Sequence, residues 1–192
     1  MEKKFELTDK FVFNTFGIKL FQIKCTKSFK YAKEGDLGGY VEKDENLDQE
    51  SNAWVSGDAR VSGDARVYGD AWVSGDARVY GDAWVYGNAR VSGDARVYGN
   101  ARVSGDARVY GDADIENDNN HCGFDCFGSC NRHTHAYLTK DNKVEITCGC
   151  FRGSIEEFEK KVEKTHSGTI YEKQYKAIIN VIKIKFGLTD LI

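Results

Sequence analysis

The sequence contains no proline, a single methionine and no long run of hydrophobic residues. Without proline, every tight turn depends on glycine, asparagine and aspartate, which enter positive φ at the lowest cost. Without a long hydrophobic run, we expect no transmembrane helix and no membrane partner. The first residues, Met1-Glu-Lys-Lys-Phe5, also lack the apolar stretch of a signal peptide. We therefore expect a cytoplasmic protein whose six cysteines are mostly reduced.

Histidine and lysine are missing from much of the chain. The sequence has no histidine before His121 and no lysine between Lys43 and Lys140. The formal net charge is −3, from 27 basic and 30 acidic residues, and this balance does not favour extended nucleic acid as a partner. A length of 192 residues is sufficient for one or two domains with a hydrophobic core.

A six-residue repeat fills residues 53–117. Each unit reads Val, then Ser or Tyr, Gly, Asp or Asn, Ala, and Arg or Trp, and the aliphatic position recurs without insertion from Val55 to Ile115. A period of six fits neither an α-helix nor a series of hairpins. It predicts a β-helix in which Val and Ala point inward, Gly with Asp or Asn forms each corner, and the neighbouring side chains face solvent.

This pattern resembles the hexapeptide-repeat left-handed β-helix family, whose units have an aliphatic residue at the first position and a small residue at the fifth. The resemblance implies a left-handed coil of three units and a homotrimer. Residues 18 apart would then stack about 4.8 Å from one another, in outward columns that mix arginine with aromatic residues. We predict that these columns bind a ligand or partner, and the candidate residues are Trp54, Trp72, Trp84, Arg66, Arg102, Tyr68 and Tyr86.

Two further motifs lie outside the repeat. Gly35-Asp-Leu-Gly-Gly39 precedes it and Cys148-Gly-Cys150 follows it. Both resemble motifs of an uncharacterised group of phage and bacterial proteins with hexapeptide repeats. The resemblance implies a phage or prophage origin, in which case the protein would act in the cytoplasm of the host cell.

Together these features predict a mainly β fold with three regions. Residues 1–40 are predicted to form an N-terminal β cap, a small meander with turns at Asp9-Lys10 and at Asn14–Gly17. Residues 41–117 are predicted to form the left-handed parallel β-helix, or β-solenoid. Residues 118–192 are predicted to form a small C-terminal α/β module of ββαα order, in which Ser154 and Glu157 form a capping box.

The C-terminal region also contains a cluster of cysteine and histidine residues. Zinc takes four thiolate or imidazole ligands, and the candidate ligands for a structural zinc ion are Cys122, Cys126, Cys130 and His133. The spacing of four residues between the cysteines is not a common zinc pattern. The alternative is that the cysteines are ordinary side chains, with Cys148 and Cys150 as small buried hydrophobic residues.

The residues favour a binding or scaffold protein over an enzyme. Stacked arginine and aromatic side chains bind nucleotides or protein surfaces, although the arginines could instead pair with the corner aspartates. We predict a non-enzymatic phage or prophage protein that binds a host protein or sequesters a small nucleotide, and so counters host defence. The alternative is an acyltransferase that uses acetyl-CoA, with His121 as its general base.

Overall fold

The hexapeptide repeat folds into a β-solenoid of about four coils in the computed structural model, which describes residues 2–188. Met1 and residues 189–192, which belong to the predicted end regions, lie outside the described residues. Parallel pairing joins residues 18 apart, as in Trp54–Trp72 and Arg60–Arg78. The predicted solenoid, and the stacking of every third unit, are therefore confirmed.

Each repeat unit contributes one strand of two residues. The strands are β4 (Trp54–Val55), β5 (Arg60–Val61), β6 (Arg66–Val67), β7 (Trp72–Val73), β8 (Arg78–Val79), β9 (Trp84–Val85), β10 (Arg90–Val91), β11 (Arg96–Val97), β12 (Arg102–Val103), β13 (Arg108–Val109) and β14 (Asp114–Ile115). Three faces result, each named here after one residue. The Trp54 face contains β4, β7, β10 and β13, the Arg60 face β5, β8, β11 and β14, and the Trp84 face β6, β9 and β12.

The solenoid core consists of the valine and alanine positions of the repeat. Val79 and Ala83, for example, are fully buried, and the same holds for nearly every Val and Ala of the repeat. Backbone hydrogen bonds join neighbouring coils within each face, as from the Arg78 amide to the Ala95 carbonyl at 2.9 Å. Because apolar burial is repeated along the axis and each coil contacts its neighbours, stability is distributed along the solenoid.

Glycine is required at the corners for two separate reasons. Gly93 has a φ of 73°, which side chains other than glycine rarely adopt. A Cβ atom built on Gly93 would also lie 2.8 Å from the backbone nitrogen of Gly111 in the next coil. The corners of adjacent coils therefore approach closely enough to exclude a side chain.

The N-terminal cap extends the sheet of the Arg60 face. Strands β1 (Phe5–Phe13) and β2 (Lys19–Cys25) form a hairpin, and β2 pairs with β3 (Leu37–Val41), which runs parallel to β5. The turn predicted at Asp9-Lys10 is wrong, because β1 continues through it with an irregularity in pairing between Leu7 and Phe11. The predicted turn at Asn14–Gly17 is present: the Gly17 amide donates to the Asn14 carbonyl.

A buried lysine closes the end of the first, irregular coil. The Lys4 ammonium group donates hydrogen bonds to the carbonyl oxygens of Asp48, Ser51 and Ala53 at 2.6–2.8 Å. Only 6% of the Lys4 side chain is exposed, and this burial lowers the pKa of Lys4 to about 8. Lys4 thus satisfies carbonyl groups that the end of a solenoid would otherwise leave unpaired.

The C-terminal module covers the other end of the solenoid with a four-stranded antiparallel sheet. Its strands are β15 (His121–Phe127), β16 (Arg132–Leu138), β17 (Val144–Cys148) and β18 (Phe151–Ser154), in that order. The predicted ββαα order is therefore incomplete, because β15 and β18 were missed. Helices α1 (Ile155–His166) and α2 (Ile170–Lys185) pack on one side of this sheet, and the predicted capping box at Ser154 is confirmed. Within residues 2–188, no helix is both long and apolar enough to cross a membrane.

Candidate functional site

The Trp84 face carries an arginine–tryptophan–arginine column. Trp84 pairs in register with Arg66 on one side and Arg102 on the other. The two guanidinium carbons lie 6.0 and 5.2 Å from the Trp84 ring centroid. Trp84 is half-buried, whereas both arginines are exposed. Cation–π attraction therefore holds both guanidinium groups near the indole while their outer edges remain open to a partner.

A tyrosine pair lies beside this column. The rings of Tyr68 and Tyr86 are parallel, with an interplanar angle of 1° and centroids 4.9 Å apart. The edge of Tyr68 also meets Trp84, with centroids 6.1 Å apart. The predicted residues Arg66, Trp84 and Arg102 thus lie together with the two tyrosines on one continuous surface.

An acidic segment borders one end of the Trp84 face. A groove of about 650 Å³ separates Arg66, Tyr68 and Trp84 from residues 44–50. That segment contributes the carboxylates Asp44, Glu45, Asp48 and Glu50 to the lining of the groove. Burial opposes the charge of Asp48, but hydrogen bonds from Ser51 and from the Glu50 amide lower its pKa overall. The groove therefore places fixed negative charge opposite a cationic and aromatic surface.

The Trp54 face is partly covered by the cap. Trp54 is 2% exposed and packs edge-on against Phe29, so it has no surface left for the ligand-binding role predicted for it. Trp72 stacks on Tyr31 with centroids 5.5 Å apart, and its indole donates a hydrogen bond to Ser56. Both tryptophans therefore attach the segment between β2 and β3, residues 26–36, to the solenoid, and we call it the cap segment. Neither tryptophan lies on the surface formed by the other five predicted residues.

The alternative in which arginines pair with corner aspartates is not seen in the described part of the chain. The corner aspartates that form ion pairs do so with lysines from outside the repeat: Lys30 with Asp70, Lys43 with Asp64 and Lys140 with Asp112. Across residues 2–188, the only arginine in an ion pair is Arg152, which binds Glu145 in the C-terminal module. The arginines of the repeat thus keep their charge available.

The predicted zinc ligands are not brought together. Cys122 packs against the helical side of the C-terminal sheet, where burial raises its pKa to about 11. Cys126 and Cys130 are exposed, and His133 instead contacts Asp125 at 2.6 Å. In the described range, 2–188, no three or more His, Cys, Asp or Glu side chains form a group that could hold a metal ion.

A row of histidines lies at the junction between solenoid and module, whereas the sequence indicated His121, His133 and His135 as ligands or neighbours of the predicted zinc site. His121 Nδ1 lies 3.0 Å from His135 Nε2, and the ring of His133 lies 5.7 Å from that of His135. Burial lowers the pKa of both His121 and His135. His121, the base of the acyltransferase alternative, thus contacts another imidazole in the junction. The alternation of His133 and His135 along β16 could have indicated that they share one side of a strand.

The comparison with known proteins agrees with the repeat. Segments of the chain match the family model described as YdcK Beta solenoid repeat, at residues 53–69, 59–75, 71–87, 83–99, 89–104, 95–111 and 101–115. No curated protein matches the chain. The matched segments coincide with the solenoid and include neither the cap nor the C-terminal module. On this similarity and on its own geometry, the chain is a β-solenoid repeat protein.

Proposed function

We propose that this protein acts by binding rather than by catalysis, and that the Trp84 face docks a protein partner. One observation carries the proposal. Of the three faces, the Trp84 face alone, in the described part of the chain, presents an arginine and aromatic column that no aromatic residue of the cap covers. Tyr31 covers Trp72 and Phe16 covers Tyr80, whereas the aromatic contacts of Trp84 are all within its own face.

The shape of the site favours a protein over a small nucleotide. Small-molecule sites usually bury most of the ligand in a concave pocket. The groove beside Trp84 is instead open, and the column continues beyond it to the exposed Arg102. Arginine, tryptophan and tyrosine are also the residues that contribute most to protein interfaces.

The charges of the face define the partner chemistry. Arg66 and Arg102 would bind carboxylates of the partner, because a guanidinium group can donate two parallel hydrogen bonds to one carboxylate. Glu45 and Glu50, on the opposite side of the groove from Arg66, would attract a lysine or arginine of the same partner. A partner with acidic and basic side chains in that order would fit this face in one orientation.

Assembly and origin form the remaining parts of the proposal. The resemblance to hexapeptide-repeat proteins supports a homotrimeric scaffold, and the resemblance to phage proteins supports a host protein as the partner and a counter-defence role. Native mass spectrometry tests the assembly: we expect a trimer, and a monomer would contradict it. A nucleotide-sized adduct in the same spectrum would favour sequestration of a nucleotide over docking of a protein.

Site-specific photocrosslinking tests the docking surface. A benzoylphenylalanine at Tyr86 would lie on the Trp84 face, and the same residue at Ser74 on the Trp54 face is the matched control. We expect a crosslinked partner only from position 86. With that partner purified, Trp84→Ala should weaken binding at least tenfold, because an anchoring tryptophan contributes about 2 kcal/mol or more.

Two outcomes would contradict the proposed docking. A crosslink from position 86 to a second copy of this chain would mean that the Trp84 face is a contact within the homo-oligomer. Equal binding by the wild-type protein and Trp84→Ala would mean that the partner binds elsewhere. Trp72→Ala is the control for general damage to the solenoid, and we expect it to leave partner affinity unchanged.

A further inference from the structure

The Arg60 face carries three arginines in consecutive coils. Arg60 pairs in register with Arg78, and Arg78 with Arg96. Neighbouring strands are about 4.8 Å apart, so the three side chains leave the sheet as an evenly spaced row, which we call the arginine ladder. Tryptophan interrupts or replaces arginine in the columns of the other two faces, so this run of three occurs on this face alone.

The ladder has little negative charge to balance it. Like charges directly opposite one another on a sheet are destabilising. The next position in the column is Asp114, whose carboxylate accepts a hydrogen bond from Tyr98 at 3.5 Å. Asp114 adjoins only the last arginine, and the ion pairs within residues 2–188 include none of the three. The three arginines are half-buried, and the nearby carboxylates Asp114 and Glu116 both lie at the Arg96 end of the column, outside the lining of the cavity described next.

The hairpin of the cap covers the ladder. Its tip is fixed by the Asn14 side chain, which accepts hydrogen bonds from the amides of Phe16 and Ile18 at 2.9 Å. The Phe16 ring lies over Tyr80 with centroids 6.1 Å apart. Between the tip and the face lies a cavity of about 190 Å³, and the hydroxyl-bearing residues Thr15 and Ser62 line it together with the ladder.

We propose that this cavity binds an oxyanion of the phosphate class, held by Arg60, Arg78 and Arg96. Guanidinium groups donate paired hydrogen bonds that match the geometry of phosphate oxygens. An anion with two or more charges would contact adjacent positions of the ladder and relieve the repulsion between them. The hydroxyl groups of Thr15 and Ser62 would complete its hydrogen bonding.

The volume of the cavity limits the size of the ligand. Pockets for drug-sized molecules measure about 300–1,000 Å³, and this cavity is smaller. It therefore suits inorganic phosphate, pyrophosphate, or the terminal phosphates of a larger group whose remainder lies outside. The site is on a different face from the Trp84 column, so it does not rest on the proposed docking of a protein.

Isothermal titration calorimetry with inorganic pyrophosphate tests the site at an ionic strength of about 0.15 M, where interactions between exposed charges more than about 8 Å apart are largely screened. We expect saturable binding by the full chain and at least a tenfold loss of affinity in Arg78→Gln. Arg102→Gln removes the same charge from the Trp84 face and should bind like the wild type. Phe16→Ala should weaken binding without unfolding the protein, because Phe16 as a whole residue is 71% exposed.

The variants distinguish a specific anion site from a general effect of positive charge. The proposal would be overturned if the wild type does not bind pyrophosphate. It would also be overturned if Arg102→Gln and Arg78→Gln lose affinity equally, because that result indicates a general charge effect. If Arg78→Gln is unfolded by circular dichroism, Arg78→Lys replaces it. Lysine keeps the charge but loses the paired hydrogen bonds, so we expect intermediate affinity. Failure of the Trp84 docking would leave these results unchanged.

Discussion

The close approach of the solenoid corners gives a prediction that separates two costs of replacing glycine. Gly93 and Gly105 both have positive φ, of 73° and 64°. A Cβ on Gly93 would lie 2.8 Å from the nitrogen of Gly111, whereas a Cβ on Gly105 would have no atom within 4 Å. Alanine at position 105 should therefore destabilise the fold only through its unfavourable backbone conformation. Alanine at position 93 should destabilise it through the same conformation and also through a collision with the backbone of the next coil.

The expected difference follows from the size of each contribution. A left-handed conformation costs alanine roughly 1–2 kcal/mol. The collision at Gly93 cannot be relieved by rotating a side chain, so the coils must separate, which typically costs about 1–3 kcal/mol more. Alanine also reduces the freedom of the unfolded chain, but this effect is common to both variants and cancels in the comparison.

Urea denaturation of both variants, followed by circular dichroism, measures the difference. We expect Gly105→Ala to lower the free energy of unfolding by about 1–2 kcal/mol and Gly93→Ala by about 2–5 kcal/mol. Equal losses in the two variants would refute the reasoning, because the contact between coils would then contribute nothing beyond the backbone conformation. A larger loss for Gly105→Ala would refute it as well.

Three further predictions concern the ends of the solenoid. Lys4→Met should lower the free energy of unfolding by roughly 3 kcal/mol in urea denaturation, because it leaves three carbonyl oxygens unpaired; an unchanged midpoint would contradict this role. The pKa of His135 is lowered in the folded state by burial and by neighbouring histidines. Below a pH of about 6.5 the unfolded state therefore binds more protons than the folded state, and the free energy of unfolding falls by up to about 1.4 kcal/mol per pH unit. Identical urea midpoints at neutral pH and at a pH one unit below the ordinary histidine pKa would refute this effect of His135 on stability. Trp72→Ala should expose the cap segment, so trypsin should cleave after Lys30 faster than in the wild type, and equal rates would show that the stacking of Tyr31 does not hold the segment.

The repeat in the sequence was sufficient to predict the solenoid, because the relevant contacts repeat with the chain, and the resemblance to hexapeptide-repeat proteins supplied the three units per coil that define the columns. Once three units form a coil, Arg66 can lie only beside Trp84, and Trp84 only beside Arg102, as the pairing confirms. The same regularity predicted that Val and Ala fill the core. No contact outside the repeat was needed for either conclusion.

The contacts between the repeat and the rest of the chain could not be predicted in this way. Phe16, Phe29 and Tyr31 have no periodic relation to the residues they cover, so the sequence alone did not distinguish the covered faces from the open one. Strand β15 was missed for a related reason: it contains Gly123 and borders a polar segment, and its pairing with β16 becomes evident only in the fold. The contact of His121 with His135 depends on that pairing.

The three tryptophans show why the open face is the best candidate for function. Each replaces the arginine that usually occupies its place in the repeat, and a regular solenoid does not require this change. Trp54 and Trp72 have partners from the cap, Phe29 and Tyr31, so packing within the chain accounts for both. Trp84 has the same half-buried setting as Trp72, but its aromatic and cationic neighbours in the described residues all belong to its own face. Because packing against the cap does not account for Trp84, we propose that this side chain binds a molecule outside the chain, and the crosslink from position 86 tests that proposal directly.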